Sequence, residues 1–244
     1  MKKLALMMVG LIALTSCKVD LGNIGSEKIE ASDNIVTKEY KLSAFEEVKM
    51  SGVGEVFIVQ NDEKSGTVEL TAPDNYIDLY QFESSNGKLN IGFKKNHINI
   101  NAKHVEIKVY TSDLVKLTNS GASKISLDSL DTDKFEIVNS GVGGLFLNKV
   151  IADNVIAKCS GVGSIEINGQ TINADLSCSG VGSINAENLK AKNTKGIVSG
   201  VGGITCYASE SIEGRVSGVG SLNYGGNPKH KNNKRTGVGS INEM

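Results

Sequence analysis

Residues 160–187 read SGVGSIEINGQTINADLSCSGVGSINAE, a stretch in which the motif Ser-Gly-Val-Gly occurs twice, at Ser160 and at Ser179. The pattern Ser/Thr-Gly-(Val/Ala)-(Gly/Ser) recurs along the second half of the chain at intervals of 18 to 20 residues. Its copies begin at Ser120, Ser140, Ser160, Ser179, Ser199, Ser217 and Thr236, and a separate early copy begins at Ser51. This period is too short for most helical repeats and suits one coil of a stacked β-structure. The sequence therefore predicts a parallel β-solenoid.

Alignment of the coils on the first residue of the motif places apolar residues in columns. The column five residues after it contains Ile125, Leu145, Ile165, Ile184, Ile204, Leu222 and Ile241. The column three residues before it contains Leu117, Ile137, Ala157 and Leu176. The column five residues before it contains Val115, Phe135, Val155, Ala174, Thr194 and Ile212. Side chains two apart on a strand share a face, so these columns form two inward faces with the motif as the corner between them. The motif valine is expected to turn inward there, with Val162 stacked on Val181.

The glycines of the motif have a mechanical role in this prediction. A sharp corner needs backbone angles that glycine adopts without a Cβ clash, and glycine lets stacked backbones approach closely. Because stacked strands lie about 4.8 Å apart, seven coils make a rod of about 34 Å. The predicted corner glycines are Gly52, Gly54, Gly141, Gly143, Gly161, Gly163, Gly180, Gly182, Gly200, Gly202, Gly218, Gly220, Gly237 and Gly239.

The region before the regular repeats alternates like β-strands but lacks the period. Turn signals at 64–66, 73–75 and 86–87 predict irregular coils and hairpins that cover one end of the solenoid. At the other end, Tyr224–Pro228 interrupts the repeat, and the basic stretch 229–235 is predicted to be a solvated turn that opposes strand addition, with a basic ligand-binding loop as the alternative.

The predicted divisions are a signal peptide at 1–16, a flexible tether at 17–35, the irregular cap at 36–112 and the solenoid at 113–244, the last two forming one continuous domain.

The N-terminus has the features of a secretory signal. Met1-Lys2-Lys3 precedes an apolar run from Leu4 to Leu14, which is too short for a stable membrane span. The following Leu14-Thr15-Ser16-Cys17 resembles a bacterial lipobox, in which cleavage behind Ser16 leaves an acylated Cys17, and two or three acyl chains anchor a protein stably. The alternative is an ordinary signal peptide. The predicted location is the bacterial envelope, at the outer membrane and facing the periplasm or the cell surface.

Composition limits the partners. The formal net charge is −1 and the basic residues form no dominant cluster, whereas nucleic-acid binding needs clustered Lys and Arg. Nucleic acid is therefore excluded as an expected partner. Aromatic residues are only 5% of the chain and Trp is absent, which disfavours a sugar-stacking platform but leaves polar sugar recognition open.

Several segments together resemble one family. These are Phe45–Ile58 around the first motif, Asn86–Ile91, the serial Ser-Gly-Val-Gly motifs and Gly226-Asn227-Pro228. They are similar to the head GIN domain family of adhesins, which is common among bacterial lipoproteins, and the resemblance covers about residues 40 to 244. It implies a single-stranded right-handed parallel β-helix and a surface lipoprotein. The right hand agrees with the general preference of parallel crossovers. The family supplies no catalytic residues to transfer.

Two cysteines form a candidate pair. Cys159 and Cys178 each precede a motif serine, so they are expected to stack in adjacent coils at about 4.8 Å, inside the range for a disulfide. A pair of buried thiols is the alternative state, and Cys206 belongs to another column. No Cys or His spacing supplies four zinc ligands, so neither a metal nor a cofactor site is predicted.

Polar residues give the remaining candidates. Asn119 and Asn139 share the inward column of the two cysteines and are expected to form an amide ladder. Asp133 and Asp153 both lie thirteen residues after a motif serine, with Asn173 in the equivalent place of the next coil. Such acids could share a proton or bind calcium, although Asp and Asn in a turn commonly bond their own backbone. The three histidines, His97, His104 and His230, have no matched catalytic pattern.

Three functional hypotheses follow. The leading one is a non-enzymatic, lipid-anchored β-helix that binds a surface glycan or protein, or serves in assembly. The second is a carbohydrate-active enzyme that uses Asp133 and Asp153. The third is end-to-end self-association, because the ends of a solenoid are strand edges.

Overall fold

The computed structural model describes residues 28–95 and 98–244, so the predicted signal peptide, Cys17 and His97 lie outside the described residues. The described part is nearly all β-structure, with stacked parallel coils that form a β-solenoid of about six turns. This confirms the fold class. Within these two ranges, no helix is both long enough and apolar enough to cross a bilayer.

The first part of the described chain combines strands that stack in parallel with the later coils and strands that pair antiparallel with one another. Its strands are β1 (Lys28–Ile29), β2 (Ile35–Lys41), β3 (Glu47–Met50), β4 (Val53–Gln60), β5 (Thr67–Pro73), β6 (Tyr80–Ser85), β7 (Lys88–Phe93), β8 (Asn99–Ile100) and β9 (Glu106–Thr111). A short helix, α1 (Asp74–Ile77), follows β5, and a 3₁₀ turn spans Ala102–His104. Within the segment predicted as a tether, the residues that the structure describes are held by contacts, because β1 pairs with β8 and Asn34 donates a hydrogen bond to Asp74.

Antiparallel pairing is confined to this region. Strand β5 lies antiparallel to β2 and β9, and β6 and β7 form a hairpin at Asn86 and Gly87, both with positive φ as the turn signal predicted. In contrast, β3 and β4 pair in parallel with later strands of the stack. The early motif at Ser51 is therefore a corner of the solenoid, one coil below the motif at Ser120.

The remaining strands build the coils. They are β10 (Lys116–Asn119), β11 (Ala122–Leu127), β12 (Leu130–Asn139), β13 (Val142–Cys159), β14 (Val162–Cys178), β15 (Val181–Ala186), β16 (Leu189–Val198), β17 (Val201–Tyr207), β18 (Ser211–Val216), β19 (Val219–Gly225), β20 (His230–Arg235) and β21 (Val238–Glu243). Equivalent residues of successive coils pair in parallel, as Ile165 does with Ile184 and Cys159 with Cys178.

The predicted apolar columns form the core. Ile165 and Leu145 are fully buried on one side of the corner, and Leu117, Ile137 and Leu176 are fully buried on the other. The prediction fails at Val115, which is half-buried, while Leu114 takes the buried place. No coil could bury these faces alone, so stability comes from contact between neighbouring coils.

The corner glycines let the backbones of adjacent coils touch. A Cβ atom on Gly161 would overlap the carbonyl oxygen of Gly141 in the coil below. Gly143 has the same restriction and also a φ of +116°, which side-chain-bearing residues rarely adopt. The backbone bond between coils accompanies this approach, since Val162 N–H donates to the Gly141 carbonyl at 3.0 Å.

The motif valines point outward, so the prediction that they turn inward is wrong. Val162 and Val181 do pair in register, but they are 54% and 56% exposed. Each strand begins at its valine, and Ile165, three residues after Val162, is buried. Residues an odd number apart on a strand face opposite sides, so burial of the isoleucine puts the valine in water. The β-solenoid fold does not require inward valines, because its core consists of the other apolar columns.

The inward column before the corner includes the predicted amide ladder. Asn119 and Asn139 are fully buried, and the Asn119 Nδ2 donates to the Asn139 Oδ1 at 3.1 Å. The Asn139 amide in turn donates to the Gly143 carbonyl at 3.1 Å. Buried amides are costly unless bonded, and these bonds offset that cost.

The basic C-terminal stretch is a strand, so its assignment as a solvated turn or a loop is wrong. Strand β20 pairs in parallel with β18 and exposes all six of its residues. Backbone pairing to the coil below outweighs the absence of apolar side chains, and Lys231 is neutralised by Glu243 at 2.6 Å. The bend that precedes β20 uses positive φ angles at Gly226 and Asn227.

The glycine corners generate a stability prediction. Gly161→Ala forces a methyl group into the backbone of the coil below, so the free energy of unfolding is expected to fall by more than about 3 kcal/mol. Urea unfolding followed by circular dichroism measures this change. Gly225→Ala is the matched control, because its added methyl group meets only the Met244 side chain at 3.8 Å, and it is expected to lie within about 0.5 kcal/mol of wild type. Equal stability of the two variants would contradict the role given to the corners.

Candidate functional site

A trough of about 930 Å³ runs across the coils on the face formed by β12, β13, β14, β16, β18 and β20. One row of its residues follows the stack, with Lys134, Asn154, Asn173, Asn193, Ser211 and His230 paired in register from coil to coil. The trough therefore presents one polar side chain per coil.

Hydrogen bonds join the middle of this row into a trough amide ladder, which consists of Asn154, Asn173, Asn193 and Ser211. Asn173 Nδ2 donates to Asn154 Oδ1 at 3.0 Å, and Asn193 Nδ2 donates to Asn173 Oδ1 at 3.1 Å. The Ser211 hydroxyl donates to Asn193 Oδ1 at 2.7 Å. Each amide nitrogen has a second N–H and each amide oxygen a second lone pair, so the ladder offers donors and acceptors to a ligand at regular intervals.

Charged residues line the trough beside the ladder. Asp175, Lys195 and Glu213 are neighbours in successive coils and alternate in sign. The end of the trough at β20 is basic, with Lys229 and His230 both exposed. A ligand would therefore meet mixed charges along the row and positive charge at its end.

A charge cluster adjoins this face. Glu136 accepts hydrogen bonds from Lys116 and Lys158, each at 2.8 Å, and these bonds hold the pKa of the carboxyl below its usual value. At the trough end, the Glu243 carboxylate raises the pKa of Lys231. Glu136 with its two lysines, and Glu243 with Lys231, therefore form two groups of ion pairs beside the trough.

The predicted acids lie in a second, smaller depression of about 370 Å³. Asp133 and Asp153 are exposed there and occupy equivalent places in adjacent coils, directly after the paired residues Thr132 and Ala152 and before the pair Lys134 and Asn154. Lys190 and Lys192 line the same depression. The structure thus brings the two acids together, at a site that is open to water and also contains positive charge.

Asn173 does not continue the column of these acids, which corrects the sequence alignment. It pairs with Asn154, because the register between β13 and β14 shifts between Leu147 and Val150. The sequence alignment counted thirteen residues forward from each motif serine, and this count passes through the register shift, so it placed Asn173 with Asp153. Counting back six residues from the following serine finds Asn154, Asn173, Asn193 and Ser211 in equivalent places, and this signal would have revealed the trough amide ladder.

The three cysteines of the described ranges, Cys159, Cys178 and Cys206, are all buried. Cys159 and Cys178 face each other in register, and the Cys178 thiol lies 3.2 Å from the Gly182 carbonyl oxygen. Hydrogen bonding to Cys178, together with burial, raises the pKa of Cys159. Burial raises the pKa of Cys206 to about 12. A disulfide between Cys159 and Cys178 stays a prediction.

The histidines and the acidic residues of the described ranges do not form a further catalytic or metal-binding cluster. His104 and His230 are both exposed, on different parts of the chain. Among residues 28–95 and 98–244, no three side chains of His, Cys, Asp or Glu are grouped to hold a metal ion.

The chain matches a known family and several solved structures. The profile of the family described as "Putative auto-transporter adhesin, head GIN domain" matches residues 44–228. A crystal structure of a "putative adhesin" from Bacteroides fragilis is 30% identical with a TM-score of 0.85, and the match covers 88% of this chain and 100% of that one. A search of curated proteins gives no match.

Two Parabacteroides distasonis crystal structures are also similar, each at 22% identity with 89% of this chain and 100% of the other covered. One is described as a "putative adhesin" and has a TM-score of 0.72. The other is described as a "putative lipid binding protein" and has a TM-score of 0.69. At this identity the likeness shows the shared fold.

Proposed function

The chain belongs to the family described as "Putative auto-transporter adhesin, head GIN domain", and from that membership we propose that it is a lipid-anchored, non-enzymatic adhesin of the bacterial cell envelope. Acylated Cys17 holds it to the membrane, and the solenoid presents the trough as its binding surface. The ligand is a surface glycan. The observation that carries this proposal is the trough amide ladder, one hydrogen-bonding side chain per coil along an open face.

The chemistry of the trough suits an extended glycan. A glycan presents hydroxyl groups at intervals along its length, and hydroxyl groups both donate and accept hydrogen bonds, as the side chains of Asn and Ser do. The amides are already fixed by their bonds to one another, so little side-chain freedom is lost on binding. Alternating charges at Asp175, Lys195 and Glu213 give further polar contacts.

A non-enzymatic role is supported by the exposure of the acids. A general acid at neutral pH needs a raised pKa, which burial or a like charge normally provides. Asp133 and Asp153 are exposed to water and share their depression with Lys190 and Lys192, so neither carboxyl group is buried. This arrangement suits surface charge rather than acid–base catalysis.

The anchoring part of the proposal concerns Cys17. The full chain expressed in bacteria is expected to be cleaved before Cys17, to carry acyl chains on that residue and to be recovered with membranes, as seen by intact mass and fractionation. Cys17→Ser removes the acylated thiol, so the acyl mass and the membrane association are both expected to be lost. The control Cys206→Ala changes a buried cysteine and leaves both unchanged. An acylated Cys17→Ser chain would contradict this assignment.

The binding part concerns the trough amide ladder. The double variant Asn173→Ala/Asn193→Ala removes two amides and is expected to weaken glycan binding at least tenfold, since each lost bond contributes about 1 kcal/mol. Immobilised bacterial and host surface glycans, screened with wild type first, provide the measurement.

The matched control is Asn223→Ala/Asn242→Ala. These residues form the same kind of exposed amide pair, with Asn242 Nδ2 donating to Asn223 Oδ1 at 2.9 Å, but they lie outside the trough on β19 and β21. This variant is expected to bind like wild type. Binding lost equally in both variants, or no glycan bound by wild type, would rule out the trough as a glycan site.

A further inference from the structure

The outward valines of six successive coils form a valine ridge, which consists of Val142, Val162, Val181, Val201, Val219 and Val238. Each is more than half exposed, from 54% at Val162 to 77% at Val238. Single exposed valines are ordinary, but a continuous aliphatic row marks an interaction surface. The ridge lies on the corner, away from the trough residues.

The surroundings of the ridge are small and uncharged. Each corner of five residues, such as 160–164 or 179–183, contains only Ser, Thr, Gly and Val. The glycines on both sides of each valine leave its side chain uncovered. At one end of the ridge the half-buried ring of Phe146 lies over Gly144 and widens the apolar surface, since a Cβ on that glycine would be 2.8 Å from the ring. A partner must therefore offer an apolar, uncharged surface with little relief.

The two flanks of the ridge differ in charge. Four residues before successive valines lie Val138, Lys158, Ser177, Ile197, Arg215 and Lys234. Four residues after the same valines lie Phe146, Glu166, Asn185, Thr205, Asn223 and Asn242. One flank is therefore basic, and the other carries Glu166 among uncharged residues. On the basic flank, Arg215 is paired with Glu213, whereas Lys158 shares the single carboxylate of Glu136 with Lys116, so that group of three keeps a net positive charge.

We propose that the valine ridge is a contact between two copies of this chain, which lie side by side and parallel about a two-fold axis along the rods. A second copy presents the same uncharged ridge with the same spacing between coils, so the two ridges match over their whole length. This symmetry brings the basic flank of one copy opposite the other flank of its partner at the same height. Lys158 then faces Glu166, and Val138 faces Phe146.

The opposite arrangement is disfavoured by the same residues. In an antiparallel pair, like flanks meet with the coil order reversed, which brings Lys158 of one copy opposite Arg215 of the other. Like charges at a contact cost free energy. The charge pattern therefore selects the parallel pair.

The size of the ridge makes this contact weak. Six coils at about 4.8 Å, and a width of about 10 Å as between packed sheets, give on the order of 250 Å² per copy. A stable interface buries about 800 Å² per partner. The pair is therefore transient, and a trapping experiment is the appropriate test.

Cysteine crosslinking of the full chain in bacteria tests the contact. The parallel two-fold axis places each ridge residue opposite itself, so Val142→Cys, Val201→Cys and Val219→Cys are each expected to form a disulfide dimer under mild oxidation. Cys159, Cys178 and Cys206 are buried, and Cys17 contributes equally to every variant. Ile172→Cys is the control, since Ile172 is 40% exposed and lies off the ridge. Non-reducing gels are expected to show at least tenfold more dimer for the ridge variants than for this control.

A second experiment introduces positive charge into the valine ridge. Adding Val162→Lys and Val181→Lys to Val201→Cys introduces like charges at exposed positions and is expected to abolish the dimer, while protease resistance of the fold is retained. Dimer yields no greater than that of Ile172→Cys would overturn the proposal. Efficient crosslinking of only the central residue would indicate an antiparallel pair, and a product of another mass would indicate a different partner. Either result would also overturn it.

Discussion

The close approach of backbones at the glycine corners is the constraint on which this solenoid depends. From the motif at Ser120 onward, each corner brings a carbonyl of one coil to the place where a Cβ of the next coil would lie, as at Gly161 above Gly141. Glycine removes that atom, and the inter-coil hydrogen bonds then close without strain. The register that follows from this contact aligns the core columns, the buried pair Asn119 and Asn139 and the trough amide ladder.

Regular stacking gives the surface its function. One residue per coil becomes a row, so an amide row forms in the trough and an aliphatic row forms on the corner. These rows lie on different faces and have different chemistry, so the two proposed contacts, with a glycan and with a second rod, use separate sides of the solenoid. A rigid scaffold serves both, because its side chains are positioned before a partner arrives.

The sequence predicted the fold and the core because both follow from a short period with aliphatic residues at fixed places. The sequence-based predictions were wrong for features that depend on local backbone geometry: the direction of the valine side chains, the register of Asn173 and the secondary structure of the basic stretch. The valines were placed inside because the corner was treated as free to turn them, whereas the burial of Ile165 and its equivalents fixes them outside. The trough amide ladder was missed because the register shift between Leu147 and Val150 moves Asn173 from the column of Asp153 to that of Asn154. The basic stretch was assigned to a turn on its charge, although its backbone pairs with β18 as a regular strand.

Amide hydrogen exchange at the corners tests the central claim most directly. The N–H groups of Val162, Val181 and Val201 donate to Gly141, Gly161 and Gly180 of the coil below, at 3.0, 3.1 and 3.0 Å. We expect these amides to exchange as slowly as the amide of the buried Ile165, even though the valine side chains are exposed, because stacking between coils protects the corner as well as the core. Exchange as fast as at the open turn of Asn86 and Gly87 would contradict the account.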